Sequence, residues 1–246
     1  MKLIINADDF GISKGANYGI IDAYKNGVVR SASIMAGMPA FDHAVGLLKS
    51  CKGLEELGCG VHLTLSAYKP VLNTHKTIVD ENGFFYKRIS EETAENKFDL
   101  EEVYNEFSAQ IQKVINSGIE ITHLDSHHHV HTLKVLKPVV EQLLSKYNLP
   151  IRGGLLYELD YDKIVPFSGF FYDETVSIDG FKKVEINKYE VLETMTHPAY
   201  LDSFIMENSS YNLKRVEELK VLTSEEVKEF VDENGITLCN YRDIYK

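Results

Sequence analysis

The chain has 246 residues, an apolar fraction of 44% and a net charge of −11, from 37 acidic against 26 basic residues. That length buries a sizeable core as one α/β barrel or as two small domains. The acidic balance argues against a nucleic-acid backbone or an anionic membrane surface as the main partner.

In chain order, Leu3–Ala7 reads as a buried strand that ends at once in Asp8 and Asp9. Its apolar run is too short for a signal peptide. Ser13 is placed to cap a helix over 15–25, with Gly27 beyond it. A second strand is predicted over 31–36, and a helix over 40–49 behind Pro39. Leu57–Leu65 reads as a third strand, with Gly58, Gly60, His62 and Thr64 on its polar side. Residues 66–98 read as a long loop with an internal hairpin at Asn82-Gly83, followed by the aromatic run Phe84-Phe85-Tyr86. An amphipathic helix capped by Asp99 covers 99–117. The acidic run from Glu91 to Glu106 reads as a solvated face. Next come a strand over 119–124, a helix over 133–147 and a short strand at 150–152. The stretch 153–186 is irregular and rich in aromatics. A strand over 189–196, a helix over 224–234 capped by Ser224 and a strand over 236–239 complete the chain.

No linker or repeat divides the chain, and no run is long enough to span a membrane. Cys51, Cys59 and Cys239 are too few and scattered for a disulfide framework, and fit reduced thiols in a cytoplasmic protein. Alternating strands and helices imply a parallel sheet covered by helices. The length fits a closed or nearly closed (β/α) barrel as a single domain over 1–246. An open doubly wound sheet is the alternative, but no Gly-x-Gly-x-x-Gly follows the first strand.

Five of the nine histidines fall between His123 and His131. Imidazole is the commonest metal ligand and a ready acid–base group, and no packing argument requires such density. Asp8 and Asp9 follow the first strand, His62 lies in the third, Asp125 and His127 follow the strand at 119–124, and His197 follows that at 189–196. A parallel barrel brings these strand ends to one face. On an extended backbone Asp8 and Asp9 point opposite ways, so one is free to bind a metal while the other serves as a base. Of the clustered histidines, 127, 129 and 131 share a face if extended, and 127 and 131 if helical. One or two of them are then metal ligands, and the rest orient ligands or touch substrate. Together these clusters suggest a metal-dependent hydrolase.

The motifs NADDFGIS at 6–13, GVHLTL at 60–65, THLDSHHHVH at 122–131 and THPAY at 196–200 resemble the YdjC-type carbohydrate deacetylases, the chitooligosaccharide deacetylases. They occur in order and span nearly the whole chain. The resemblance implies a distorted barrel, a homodimer and one divalent metal held by Asp9, His62 and His127, with Asp8 as general base and His197 as general acid. Asp125, His129, His131 and Arg152 would orient the ligands or meet the substrate. Where many relatives read His-Pro-Gly, this chain has His197-Pro198-Ala199. The resemblance points to magnesium, whereas two imidazoles favour zinc. The expected substrate is a small N-acetylated sugar such as diacetylchitobiose, with 66–98 and 153–186 folding over the site and Phe84, Phe85 and Tyr86 as candidate stacking surfaces. A barrel phosphoesterase and a non-catalytic metal- or sugar-binding protein are the alternatives.

Overall fold

Strand β1 (Lys2–Phe10) divides its side chains between two environments, and the division organises the molecule. Leu3, Ile5 and Ala7 join the main apolar cluster beneath the helices, whereas Ile4 packs with Val165, Cys239 and Tyr241. Asn6 and Asp8 follow Ile4 on that second face by the two-residue period of a strand, and both are buried. One face of the sheet is therefore apolar and the other carries buried polar groups.

The computed structural model describes residues 1–185 and 188–245, so position 186 of the irregular stretch and Lys246 lie outside the described residues. The remaining strands are β2 (Ser31–Ile34), β3 (Gly58–Leu63), β4 (Leu124–Ser126), β5 (Ile151–Arg152), β6 (Ile164–Val165), β7 (Val191–Thr196) and β8 (Thr237–Leu238). All pair in parallel, in the order β6-β5-β4-β3-β2-β1-β7. β8 pairs with Lys2 and Leu3, before β2 takes over at Asn6. The sheet curls until its edges meet at one parallel bridge, Phe167 with Glu193. This is the distorted barrel that the family resemblance implies, built from the parallel, helix-covered sheet that the alternating elements predict.

Helices α1 (Lys14–Lys25), α2 (Phe41–Ser50), α3 (Glu91–Lys97), α4 (Leu100–Asn116), α5 (Lys137–Tyr147), α6 (Ile178–Phe181), α7 (Ser203–Asn208), α8 (Leu213–Leu222) and α9 (Glu225–Glu233) complete the fold. Ser13, Asp99 and Ser224 cap α1, α4 and α9, as their positions predicted. Val103, Phe107, Ile111 and Val114 of α4 enter the main core. Among the described residues, no helix is long and apolar enough to cross a membrane.

Several elements depart from the sequence reading. The strand expected over 119–124 begins only at Leu124 and runs on to Ser126. Ile119 and Ile121 alternate because they lie against the core on chain leaving α4, not because they form a ladder. Helix α5 starts at Lys137, since 134–136 form a tighter 3-10 turn. The long loop does hold a hairpin, with Val79 opposite Phe85 and a turn at Asn82-Gly83, but it also contains α3. The acidic run is only partly a solvated face. Glu91 accepts the backbone N–H groups of Lys134 and Val135, Glu102 those of Lys76 and Thr77, and buried Glu106 those of Val71 and Leu72. Three of its carboxylates thus pin loops to the barrel. The segment 201–223, given no element in sequence, forms α7 and α8.

Candidate active site

Asp9 is the local exception in β1. Its backbone is left-handed (φ 66°) and the pairing with β2 shifts register between Ala7 and Phe10. Strict alternation would send it to the helix side. The bulge instead turns it back, so both acids face His62, with Nε2 lying 3.4 Å from Asp9 Oδ1 and 4.0 Å from Asp8 Oδ2. The expectation that the two carboxylates point apart is thereby corrected.

His62 stands on β3 at the level of Asp125 on β4. Its Nδ1 is 2.9 Å from Asp125 Oδ1 and 3.1 Å from Ser33 Oγ, so its Nε2 is the atom presented to the acids. Two residues earlier β3 is glycine, which leaves room for the neighbouring His123 ring. A Cβ on Gly60 would lie 2.3 Å from the His123 ring. His127 follows β4 directly, and its Nδ1 is 2.9 Å from Asp9 Oδ1. One ligand atom each from Asp9, His62 and His127 lies within 4.8 Å of the others.

This donor set fits a divalent cation: one carboxylate and two imidazoles on three strand ends, with His62 oriented from behind by Asp125. The electrostatics agree. Burial alone would lower His62, but Asp125 and Asp8 push it up to about 10, so the surroundings favour positive charge there. Burial works against the Asp9 carboxylate, yet His127 and Arg215 hold it well below its usual range.

Arg152, fully buried on β5, is the hub behind these groups. Its guanidinium donates to Asp8 through two parallel bonds of 2.8 and 2.6 Å, and also lies 2.9 Å from Asp125 Oδ2 and from Glu193 Oε1. Tyr241 donates to the other Glu193 oxygen at 2.5 Å. Burial would raise the Asp8 carboxyl, but Arg152 overcomes it and keeps Asp8 ionised. Burial lifts Glu193 to about 7 against the pull of Arg152. Arg152 is thus placed to orient the acids and is sealed from solvent. Removing a paired buried charge costs about 3–5 kcal/mol. Arg152→Met, which leaves three carboxylates facing one another, should therefore lower the unfolding free energy by an amount in that range, read as a fall in the urea midpoint. An unchanged midpoint would show that the cluster does not depend on this cation.

His197 follows β7 and is not linked to the Asp9–His62–His127 group by any hydrogen bond or ion pair among the described residues. It is held from α8. Glu218 accepts its backbone N–H and stands 3.6 Å from its Nδ1. One turn earlier Arg215 donates to Asp9 Oδ2 at 2.6 Å. A single helix thus grips both the candidate ligand and the candidate acid.

The other clustered histidines separate. Residues 127–132 form a 3-10 turn in which His128 and His129 have left-handed backbones, so neither the extended nor the helical face-sharing pattern applies. His128 reaches Ser66 Oγ at 2.9 Å. His129 lies beside Phe167, and burial, reinforced by Arg152, pulls it down to about 4. His131 is buried between Ser126 Oγ and the Arg152 carbonyl, where it supports the turn. His123 stacks on Tyr241 at 3.9 Å. Phe85 enters the core, Tyr86 stacks on Phe98 and Phe84 packs on Tyr68, so this run builds the hairpin.

Sequence reasoning missed Asn6, Ser33, Glu193, Tyr241, Arg215 and Glu218. Asn6 carried a signal as a polar residue closing an apolar run, and Glu193 as a charged residue inside a predicted strand. Arg215 and Glu218 carried none beyond the helix that was not recognised.

The model of the family described as YdjC-like protein matches residues 2–233 of the chain. A carbohydrate deacetylase of Brevibacillus brevis is 38% identical, over 99% of this chain and 100% of its own. Carbohydrate deacetylase 1 of Listeria innocua is 40% identical, with the same shares covered. A crystal structure from Enterococcus faecalis V583, described as that of a candidate cellobiose-phosphate cleavage protein, superposes with a TM-score of 0.91 at 38% identity. The match covers 99% of this chain and 98% of that one.

Proposed function

This chain belongs to the YdjC-like family, and on that premise we propose that it is a metal-dependent deacetylase of small N-acetylated carbohydrates, releasing acetate and an amino sugar. The observation that carries the reading is the meeting of Asp9, His62 and His127 beside an Asp8 held ionised by Arg152. The curated relatives bear the name carbohydrate deacetylase along their full length.

Asp9, His62 and His127 would hold the divalent ion. When bound, such an ion supplies the Lewis acidity that polarises an amide carbonyl and acidifies a water. Magnesium is the ion the family resemblance suggests, and zinc the one two imidazoles prefer. Asp8 Oδ2, the oxygen nearer His62, takes the proton of the attacking water as its oxygen bonds to the carbonyl carbon. Arg152 holds that carboxylate in place throughout. His197, with Nδ1 turned to Glu218, gives a proton from Nε2 to the nitrogen as the C–N bond breaks. Asp125 and Ser33 fix the His62 ring, and Arg215 fixes Asp9.

A short sugar suits the surroundings. Residues of both long segments border the site: Ser66 meets His128, while Phe167 and Tyr172 stand against His129 and His197. The Enterococcus neighbour is described in terms of a disaccharide phosphate, a ligand of the same size class.

The deciding experiment measures acetate released from N-acetylglucosamine and its di-, tri- and longer oligomers, before and after chelation. Turnover should be greatest on a mono- to trisaccharide, vanish with chelator and return with magnesium or zinc. Phosphate release from sugar phosphates without acetate would favour a phosphoesterase. Sugar binding without either product would favour a binding protein.

A further inference from the structure

Phe84, Phe85 and Tyr86 pack within the hairpin, and a different aromatic surface lies against His197. We propose that Tyr172, backed by Tyr211, is the platform on which the sugar ring bearing the acetamido group stacks. The inference rests on the deacetylase reading, in which His197 protonates the departing nitrogen. That nitrogen must come within hydrogen-bonding reach of His197, so the pyranose attached to it lies along whatever borders the imidazole.

Two aromatic rings border it. Tyr172 meets His197 edge to face with centroids 5.6 Å apart, and Tyr211 does so at 5.4 Å. The tyrosines stack on each other at 4.7 Å and 14°. Tyr211 is committed to the protein. Its hydroxyl donates to Glu218 and accepts the Asp173 N–H, and its carbonyl accepts from Arg215. Tyr172 is 39% exposed, has one face covered by Tyr211, and forms the outer layer of the pair.

Its edge-to-face contact with His197 places it beside the candidate acid. The backbone beneath the ring is held in advance, and the ring itself by the stack on Tyr211. Thr175 Oγ1 accepts the Tyr172 N–H at 2.8 Å and donates to its carbonyl at 2.7 Å, closing a turn in which Asp173 is left-handed (φ 51°). A ring already fixed loses little freedom on meeting the C–H face of a pyranose, so dispersion and apolar burial are kept as affinity.

The chain contains no tryptophan, which makes the test direct. Tyr172→Ala should raise KM for diacetylchitobiose on the order of tenfold, with kcat within about threefold, the pattern of lost uniform binding. Tyr172→Phe and Tyr172→Trp should recover KM, because stacking needs the ring and not the hydroxyl. The single indole of Tyr172→Trp should shift its emission as diacetylchitobiose or glucosamine is added. KM for Tyr172→Ala within twofold of wild type, or an indole blind to sugars at concentrations that saturate turnover, would overturn the platform. If the wild-type protein releases no acetate, the deacetylase reading fails, and an indole unresponsive to the same sugars would then refute the platform independently.

Discussion

His127→Ala is expected to lose the divalent ion almost completely while keeping its fold, and with the ion its acetate-releasing activity. Loss of a group that merely orients a ligand already costs about 10–100-fold in metal affinity, so loss of a ligand should exceed that range. His127 is the informative position because of where it sits. Its side chain is 13% exposed and projects from the turn after β4, with Asp9 as its hydrogen-bonding partner. Deleting it leaves the barrel interior untouched. His62→Ala should also abolish binding, but it empties a ring packed among Asp125, Ser33 and both acids, so it should lower the unfolding midpoint as well. Elemental analysis after dialysis against a known metal concentration, paired with thermal unfolding, separates the two cases. One metal per chain in wild type and almost none in a folded His127→Ala is the expected result. Full occupancy in that variant would move the ligand role to His128 or His129, since His131 is locked to Ser126 and the Arg152 carbonyl.

The parts of this site that could be read from sequence are those where chemistry and strand position coincide. Asp8 and Asp9 end an apolar run, His62 interrupts the polar side of a glycine-rich strand, and His127 and His197 follow strand ends. A parallel barrel has to bring such positions to one face, and the pairing of β1, β3, β4 and β7 does so. Local conformation was less accessible. Nothing in the Asp8-Asp9 dipeptide announces the left-handed residue that turns both carboxylates to His62, because the bulge depends on how β2 pairs alongside. The histidine cluster likewise takes a turn that no simple period describes. Long-range partners were least accessible. Arg215 reaches Asp9 across 206 residues of chain, and Arg152 reaches Asp8 across 144. Arg152 stood out only as an arginine at a strand end, which carries no sign that it would be buried among three carboxylates. The aromatic runs misled because hydrophobicity is equally consistent with packing. Phe85 fills the core, as does Phe171, while Tyr172, which ends the similar run Phe170-Phe171-Tyr172, stands beside His197.

Asp8→Asn and His197→Ala should each lower kcat by on the order of 10²–10⁴, the usual worth of a positioned base or acid, with metal still bound. The amide of Asp8→Asn still fits beside Arg152, whose charge keeps Asp125 and Glu193 as partners, so the fold should persist. What is lost is a carboxylate able to accept the proton of water. The two variants are told apart by pH. In wild type the rate requires Asp8 ionised and His197 protonated, so it falls toward acid as the first gains a proton and toward alkali as the second loses one. Arg152 outweighs burial and holds Asp8 below the ordinary carboxylate value, so the acid limb should lie below that value too. That limb should disappear from the residual activity of Asp8→Asn. His197→Ala should instead lose the alkaline limb, and acetate release should recover for an activated acetyl ester whose leaving group needs no proton. The ester matters because both variants weaken hydrolysis of the amide, but only loss of the acid is bypassed by a better leaving group. Equal rescue of the two by the ester would mean that Asp8 and His197 do not divide the work as base and acid.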